Sequence, residues 1–188
     1  MEMTDWIQIA KDVQDAYEAF DGFVILHGTD TLAYTASALS FMLENLGKPV
    51  IVTGSQIPSF ETRSDGRDNF VGALILAGNF NIPEVSVYFR HQLLRGNRTV
   101  KVSSENLEAF QSPNMKPLAE MKINIEVDYK GTVFENSDKI LTFVSLRADV
   151  NFETFNDVFL PLENSSKFLP ILFFELSGAQ GEALSEAK

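Results

Sequence analysis

Three short polar loops hold most of the residues in this chain that suit acid–base or nucleophilic chemistry. They are His27-Gly28-Thr29-Asp30-Thr31, Thr53-Gly54-Ser55-Gln56-Ile57-Pro58 and Arg95-Gly96-Asn97-Arg98-Thr99-Val100-Lys101. A threonine hydroxyl, an aspartate and a lysine brought to one rim would form a relay, in which the lysine takes the hydroxyl proton and the carboxylate holds the lysine. Thr29, Asp30 and Lys101 are the residues for it. The arrangement contains a tension: a nearby carboxylate raises a lysine pKa while a base needs it lowered, so burial or neighbouring cations must win. Gly28 would let the backbone approach a ligand, and a helix starting just after it would offer free N–H groups and its positive dipole end to a carboxylate. Each residue also has a plain structural reading. Asp30 would cap that helix, Lys101 would be a solvated surface charge, and His27 would be satisfied by backbone. The run Arg63-Ser64-Asp65-Gly66-Arg67-Asp68-Asn69 reads as a capped, salt-bridged turn.

The elements that must position these loops alternate. Trp6, Ile9, Ala10, Val13, Tyr17 and Phe20 recur at helical spacing behind Thr4 or Asp5 as N-cap. Phe23 to Leu26 is a short apolar run suited to a strand buried on both faces, and residues 31 to 46 read as a second helix ended by Gly47 and Pro49. Pro49 to Thr53 is a second strand, residues 66 to 78 a third helix, and Val85 to Phe89 a third strand. The fold class is therefore α/β, a mostly parallel sheet with helices on both faces, whose ligand site lies beyond the carboxyl ends of the strands. A chain of this type ordinarily opens with a strand, so opening on a helix implies a strand upstream of Met1. Residues 92 to 104 read as a polar loop. The expected division is a first domain over 1–117, a linker over 118–138 and the start of a second unit over 139–188, with strand-like runs at Ile140 to Leu146 and Phe168 to Leu176.

Composition narrows the chemistry. In 188 residues there is no cysteine, which removes thiolate nucleophiles, disulfides and Cys-ligated metals. His27 and His91 are too few for a three-His site, so metal catalysis is not expected. A formal charge of -11 has the wrong sign for binding a phosphate backbone, so nucleic acid is not expected as a partner. The acidic N-terminus lacks the basic and apolar regions of a signal peptide, and no apolar run is long enough to span a bilayer, so a cytoplasmic protein without a membrane partner is expected.

The motifs HGTDT at 27 to 31, TGSQIP at 53 to 58, RSDGR at 63 to 67 and RGNRTVK at 95 to 101 stand in order, and together they resemble the bacterial-type L-asparaginases, most closely the cytosolic type I branch. The resemblance covers about residues 20 to 120. It implies hydrolysis of L-asparagine to L-aspartate and ammonia through a threonine acyl-enzyme, without metal or cofactor. Two threonines matter in such enzymes: one in a glycine-rich hairpin after a first strand, here expected upstream of Met1, and the threonine of HGTDT, here Thr29. On matching positions Thr29, Asp30 and Lys101 would be catalytic. Gly28, Thr29 and Asp30 would bind substrate, Asp30 receiving its ammonium, and Ser55 would lie beside its side-chain amide. A homo-oligomer, dimer or tetramer, is implied, in which a smaller C-terminal domain helps close the neighbour's site.

Two other readings keep the same residues. One is a catalytically silent amino-acid-binding or assembly module. The other is the asparaginase-like subunit of a transfer-RNA-dependent amidotransferase, against which the acidic charge weighs.

Overall fold

The computed structural model describes residues 1 to 132, together with the backbone of two short strands at 142–143 and 171–174. In chain order the elements are α1 (Met3–Ala16), β1 (Gly22–Leu26), α2 (Thr29–Met42), β2 (Leu43–Glu44), β3 (Val50–Thr53), α3 (Gly66–Asn79), β4 (Val85–Phe89) and β5 (Gln92–Arg95). A 3₁₀ turn over Gly96–Arg98 follows, then β6 (Val100–Lys101), β7 (Phe110–Gln111), β8 (Ala119–Met121), β9 (Ile125–Val127), β10 (Thr142–Phe143) and β11 (Ile171–Phe174).

The main sheet has seven strands in the order β11-β1-β3-β4-β5-β8-β9. Its centre, β1-β3-β4, is parallel, in the register Val24 beside Ile51 and Ile51 beside Ser86. The expected α/β class is what the structure shows, although the parallel strands form only the core of a mixed sheet. Alternation along the strands divides the apolar residues between two faces. Phe23, Ile25, Val50, Val52, Val85 and Val87 pack under α1 and α2, whereas Val24, Ile51, Tyr88 and Leu93 pack under α3. Helices therefore cover both faces. Burying apolar area on both sides stabilises these strands at roughly 25 cal/mol per Å² removed from water.

Several expectations are corrected. The cap of α1 is Glu2, whose carboxylate and that of Asp5 satisfy each other's backbone amides, so Asp5 is the third helical position rather than the N-cap. Helix α2 begins at Thr29 and stops at Met42, earlier than expected, and the chain then turns through Asn45 at φ 60. Residues 92 to 95 are not loop: β5 folds back on β4, Phe89 opposite Gln92, across a two-residue turn. Both turn residues have positive φ, Arg90 at 49 and His91 at 68, as the tightest hairpin turn requires. The stretch expected as a linker from 118 begins with β8 and β9, which extend the sheet beyond β5. Within 139–188, β10 pairs with β2 and β11 runs antiparallel beside β1; the rest of that span lies outside the described residues.

Candidate functional site

The site is built at the carboxyl edge of the parallel core, where β1 and β3 both release the chain into loops. Strand β1 ends at Leu26 and, after His27 and Gly28, becomes α2; β3 ends at Thr53 and leads into the loop that precedes α3. The two loops touch. A Cβ on Gly54 would lie 2.1 Å from the His27 carbonyl oxygen, so only glycine lets the second loop cross the first this closely.

The third contribution arrives by a longer route. Strand β5 carries the chain back to the opposite edge, where Gly96 lies against α2: a Cβ there would come 2.9 Å from the Ala36 carbonyl oxygen and 2.7 Å from Ser40 Oγ. From Gly96 the chain climbs beside α2 towards that helix's start. A 3₁₀ turn plus three extended residues spans about 14 Å, and α2 rises about 10 to 16 Å between Thr29 and the Ala36–Ser40 turn. The climb therefore ends with Lys101 level with the first residues of α2. Arg95 anchors its lower end, its guanidinium paired on both sides with Glu84 (Nη2 to Oε1 2.7 Å) and donating to the Gly131 carbonyl at 2.7 Å.

At the top of the climb Lys101 Nζ stands 2.9 Å from Thr29 Oγ1 and 2.7 Å from Asp30 Oδ1. Residues 71 and 72 positions apart thus meet in one cluster. The lysine side chain is 16% exposed and the aspartate 60%, so the lysine is mostly covered while the aspartate is open to solvent. Asp30 is not a helix cap: it lies in the first turn of α2, whose N-cap is Gly28, and no side-chain cap bond occupies the leading amides. Those amides and the dipole are thus available to an anion. Lys101 is not a solvated surface charge. The sequence-expected residues Gly28, Thr29, Asp30 and Lys101 are brought together, and Ser55 lies on the same edge, against Gly66 at the start of α3.

His27 takes the structural role. Its Nδ1 lies 2.7 Å from the Gly28 carbonyl, an acceptor only, so Nδ1 carries the proton. Nε2 then accepts from the Thr35 hydroxyl at 2.9 Å, and Thr35 Oγ1 accepts from Trp6 Nε1 at 2.9 Å. Burial pushes the imidazole below its ordinary pKa, the Gly28 carbonyl opposing it more weakly, and the ring is neutral near pH 7.

The second loop is tied down on two sides. Gln56 donates from Nε2 to the Asn106 carbonyl at 3.1 Å, joining it to the segment after Lys101. Asp65 is not the salt-bridged cap expected of its run. It forms no side-chain cap on α3, and its carboxylate accepts instead from the backbone of Gln56 and Ile57, each at 3.0 Å. The sequence signal that could have found it is an Asp-Gly pair opening a helix with Asn69 one turn later.

Among the described residues no group of His, Asp and Glu is arranged to hold a metal ion, and no helix is long and apolar enough to cross a membrane. Residues 1–133 match the family model described as "Asparaginase, N-terminal". The chain is 62% identical over 129 residues to "L-asparaginase" of Dirofilaria immitis, covering 69% of this chain and 22% of that protein. It is 51% identical over 128 residues to the "60 kDa lysophospholipase" of Mus musculus, covering 68% of this chain and 23% of the relative. It therefore spans less than a quarter of the length of these curated relatives. The crystal structure of L-asparaginase I from Vibrio cholerae superposes with a TM-score of 0.71 at 46% identity, over 85% of this chain and 52% of that one.

Proposed function

The chain belongs to the asparaginase family, and on that premise we propose that it carries part of the active site of an L-asparagine amidohydrolase. The observation that carries this reading is the contact of Lys101 Nζ with both Thr29 Oγ1 and Asp30 Oδ1. In its neutral form Lys101 accepts the Thr29 hydroxyl proton as a threonine acyl-enzyme forms on the side-chain carbonyl of asparagine, and a proton then passes to the departing ammonia. Water hydrolyses the ester and releases L-aspartate. Asp30 holds the lysine through Oδ1 and offers its exposed Oδ2 to the substrate ammonium. The α-carboxylate sits at the uncapped start of α2 beside Gly28, and Ser55 faces the side-chain amide. No metal or cofactor enters the scheme. The protein works as a cytoplasmic homo-oligomer, whose neighbouring copy closes the exposed side of Asp30, and residues 1–117 supply the part of the domain that holds the site.

A second reading is favoured by one feature. Asp30 and Lys101 form an ion pair at 2.7 Å, one charge of each sign side by side, which suits the capture of a zwitterionic amino acid. On that reading the cluster captures an amino acid without turning it over.

Ammonia release from L-asparagine by the protein that carries this chain decides between them. Turnover that falls about a thousandfold in Thr29→Ala is the expected result. Binding of L-aspartate with no ammonia release selects the silent module, and fatty-acid release from a lysophospholipid without ammonia release overturns both.

A further inference from the structure

Asp65 and Asn69 are both buried, 6% and 3% exposed, and neither belongs to the Lys101 cluster. Apart from the bond they share, their side-chain hydrogen bonds lead to loops at the carboxyl edge of the sheet. Asp65 Oδ1 accepts from the Gln56 and Ile57 amides at 3.0 Å each, and Oδ2 accepts from Gln56 N at 3.2 Å and from Asn69 Nδ2 at 2.9 Å. Asn69 Nδ2 also donates to the Gly54 carbonyl at 3.0 Å, and its Oδ1 accepts from the Arg90 amide at 3.1 Å. Ser64 Oγ adds a bond to the Ile57 carbonyl at 2.9 Å. A buried carboxylate is costly unless hydrogen bonds satisfy it, and here backbone amides supply most of them. Gly54, Gln56 and Ile57 are thus each fixed by a bond to their backbone, with Ser55 held between them.

We propose that Asp65 and Asn69 are positioning residues that set the Gly54–Ile57 loop, and with it Ser55, for substrate binding, and that Asn69 locks this loop to the Arg90–His91 turn. The inference rests on the reading of the site as an asparagine pocket. The donor pattern makes it strict. With an amide at position 65, Oδ1 can keep the Gln56 and Ile57 amides only by aiming its NH₂ at the NH₂ of Asn69. Turning Asn69 over would relieve that clash and place its oxygen against the Gly54 carbonyl and its NH₂ against the Arg90 amide. No arrangement of two amides satisfies all the partners, so Asp65→Asn acts as a disruptive change despite its shape.

The test uses the protein that carries this chain, with Asp65→Asn and Asn69→Ala. The Michaelis constant for L-asparagine is expected to rise about tenfold in each while kcat changes less than about threefold, since the clamp acts through binding. Amide exchange at Gln56 and Ile57 is expected to accelerate about tenfold in Asp65→Asn, and exchange at Arg90 in Asn69→Ala, with β1 and β3 amides unchanged. If Asp65→Asn fails to fold, Asn69→Ala carries both readouts. Unchanged exchange at these amides, or acceleration spread evenly over the sheet, overturns the clamp whatever the enzyme does. Local acceleration in the variants, when the wild-type protein itself releases no ammonia, supports the clamp and removes only the asparaginase reading.

Discussion

Two aspartates stand at the same edge of one sheet and do opposite things. Asp30 has a side chain 60% exposed, gives Oδ1 to Lys101 and has no partner on the other oxygen among the described residues. Asp65, 6% exposed, has both oxygens filled, mostly by backbone amides. A carboxylate with a spare acceptor beside a lysine can exchange partners during a reaction, whereas one saturated by the main chain holds shape and nothing else. On the proposed reading, chemistry falls where hydrogen-bonding capacity is left open, and support where it is exhausted.

The sharpest way to break that contrast is Lys101→Ala. Removing the lysine empties the open cluster and should lower turnover of L-asparagine about a thousandfold, while the melting temperature shifts little, because a pair half open to solvent adds only about 0–1 kcal/mol. A large loss of stability with retained turnover would put Lys101 on the supporting side.

Gly54→Ala strikes the seam between the two regions. Its methyl group would meet the His27 carbonyl at 2.1 Å, so one of the two loops must move. A loss of about 1–3 kcal/mol in chemical denaturation is expected. A variant as stable as the parent would show the crossing to be loose.

The smallest effect is in pH. Burial lowers the His27 pKa, so between the lowered folded value and the ordinary value near 6.5 the unfolded chain binds more protons than the folded one. Its contribution is therefore fully present above about 6.5 and is lost as pH falls through that window, at no more than about 1.4 kcal/mol per pH unit for one proton. Thermal melts of wild type and His27→Gln between pH 7 and 5 should differ in slope. Parallel curves would mean that the imidazole charges freely.

Much of the site was legible because two rules suffice for it. Short apolar runs separated by helical patterns define a parallel core, and the loops after its strands must share an edge, which brings Gly28, Thr29 and Ser55 to one rim. The routing of Lys101 was not legible, since it depends on β5, and the turn before β5 offers Arg90 and His91 where a hairpin normally announces itself with Asn or Gly. Strands β8 and β9 were hidden for a related reason: Ala119-Glu120-Met121 is too short and too mixed in character to stand out from loop. The role of Asp65 was misread because bonds to backbone amides leave no partner in the pattern of side chains.

The passage of residues 96 to 101 alongside α2 carries a consequence for length. The helix works as a ruler for the strand beside it, with Gly96 as the zero mark and Lys101 as the reading. One residue inserted after Gly96 would carry the amine past the hydroxyl by about 3 Å, a full hydrogen-bond length, although no contact at the zero mark need change. Insertions in the β6–β7 loop, beyond Lys101, would leave that measurement intact, so variants of this chain can gain length there and keep the reading at Lys101, provided the Asn106 carbonyl still reaches Gln56.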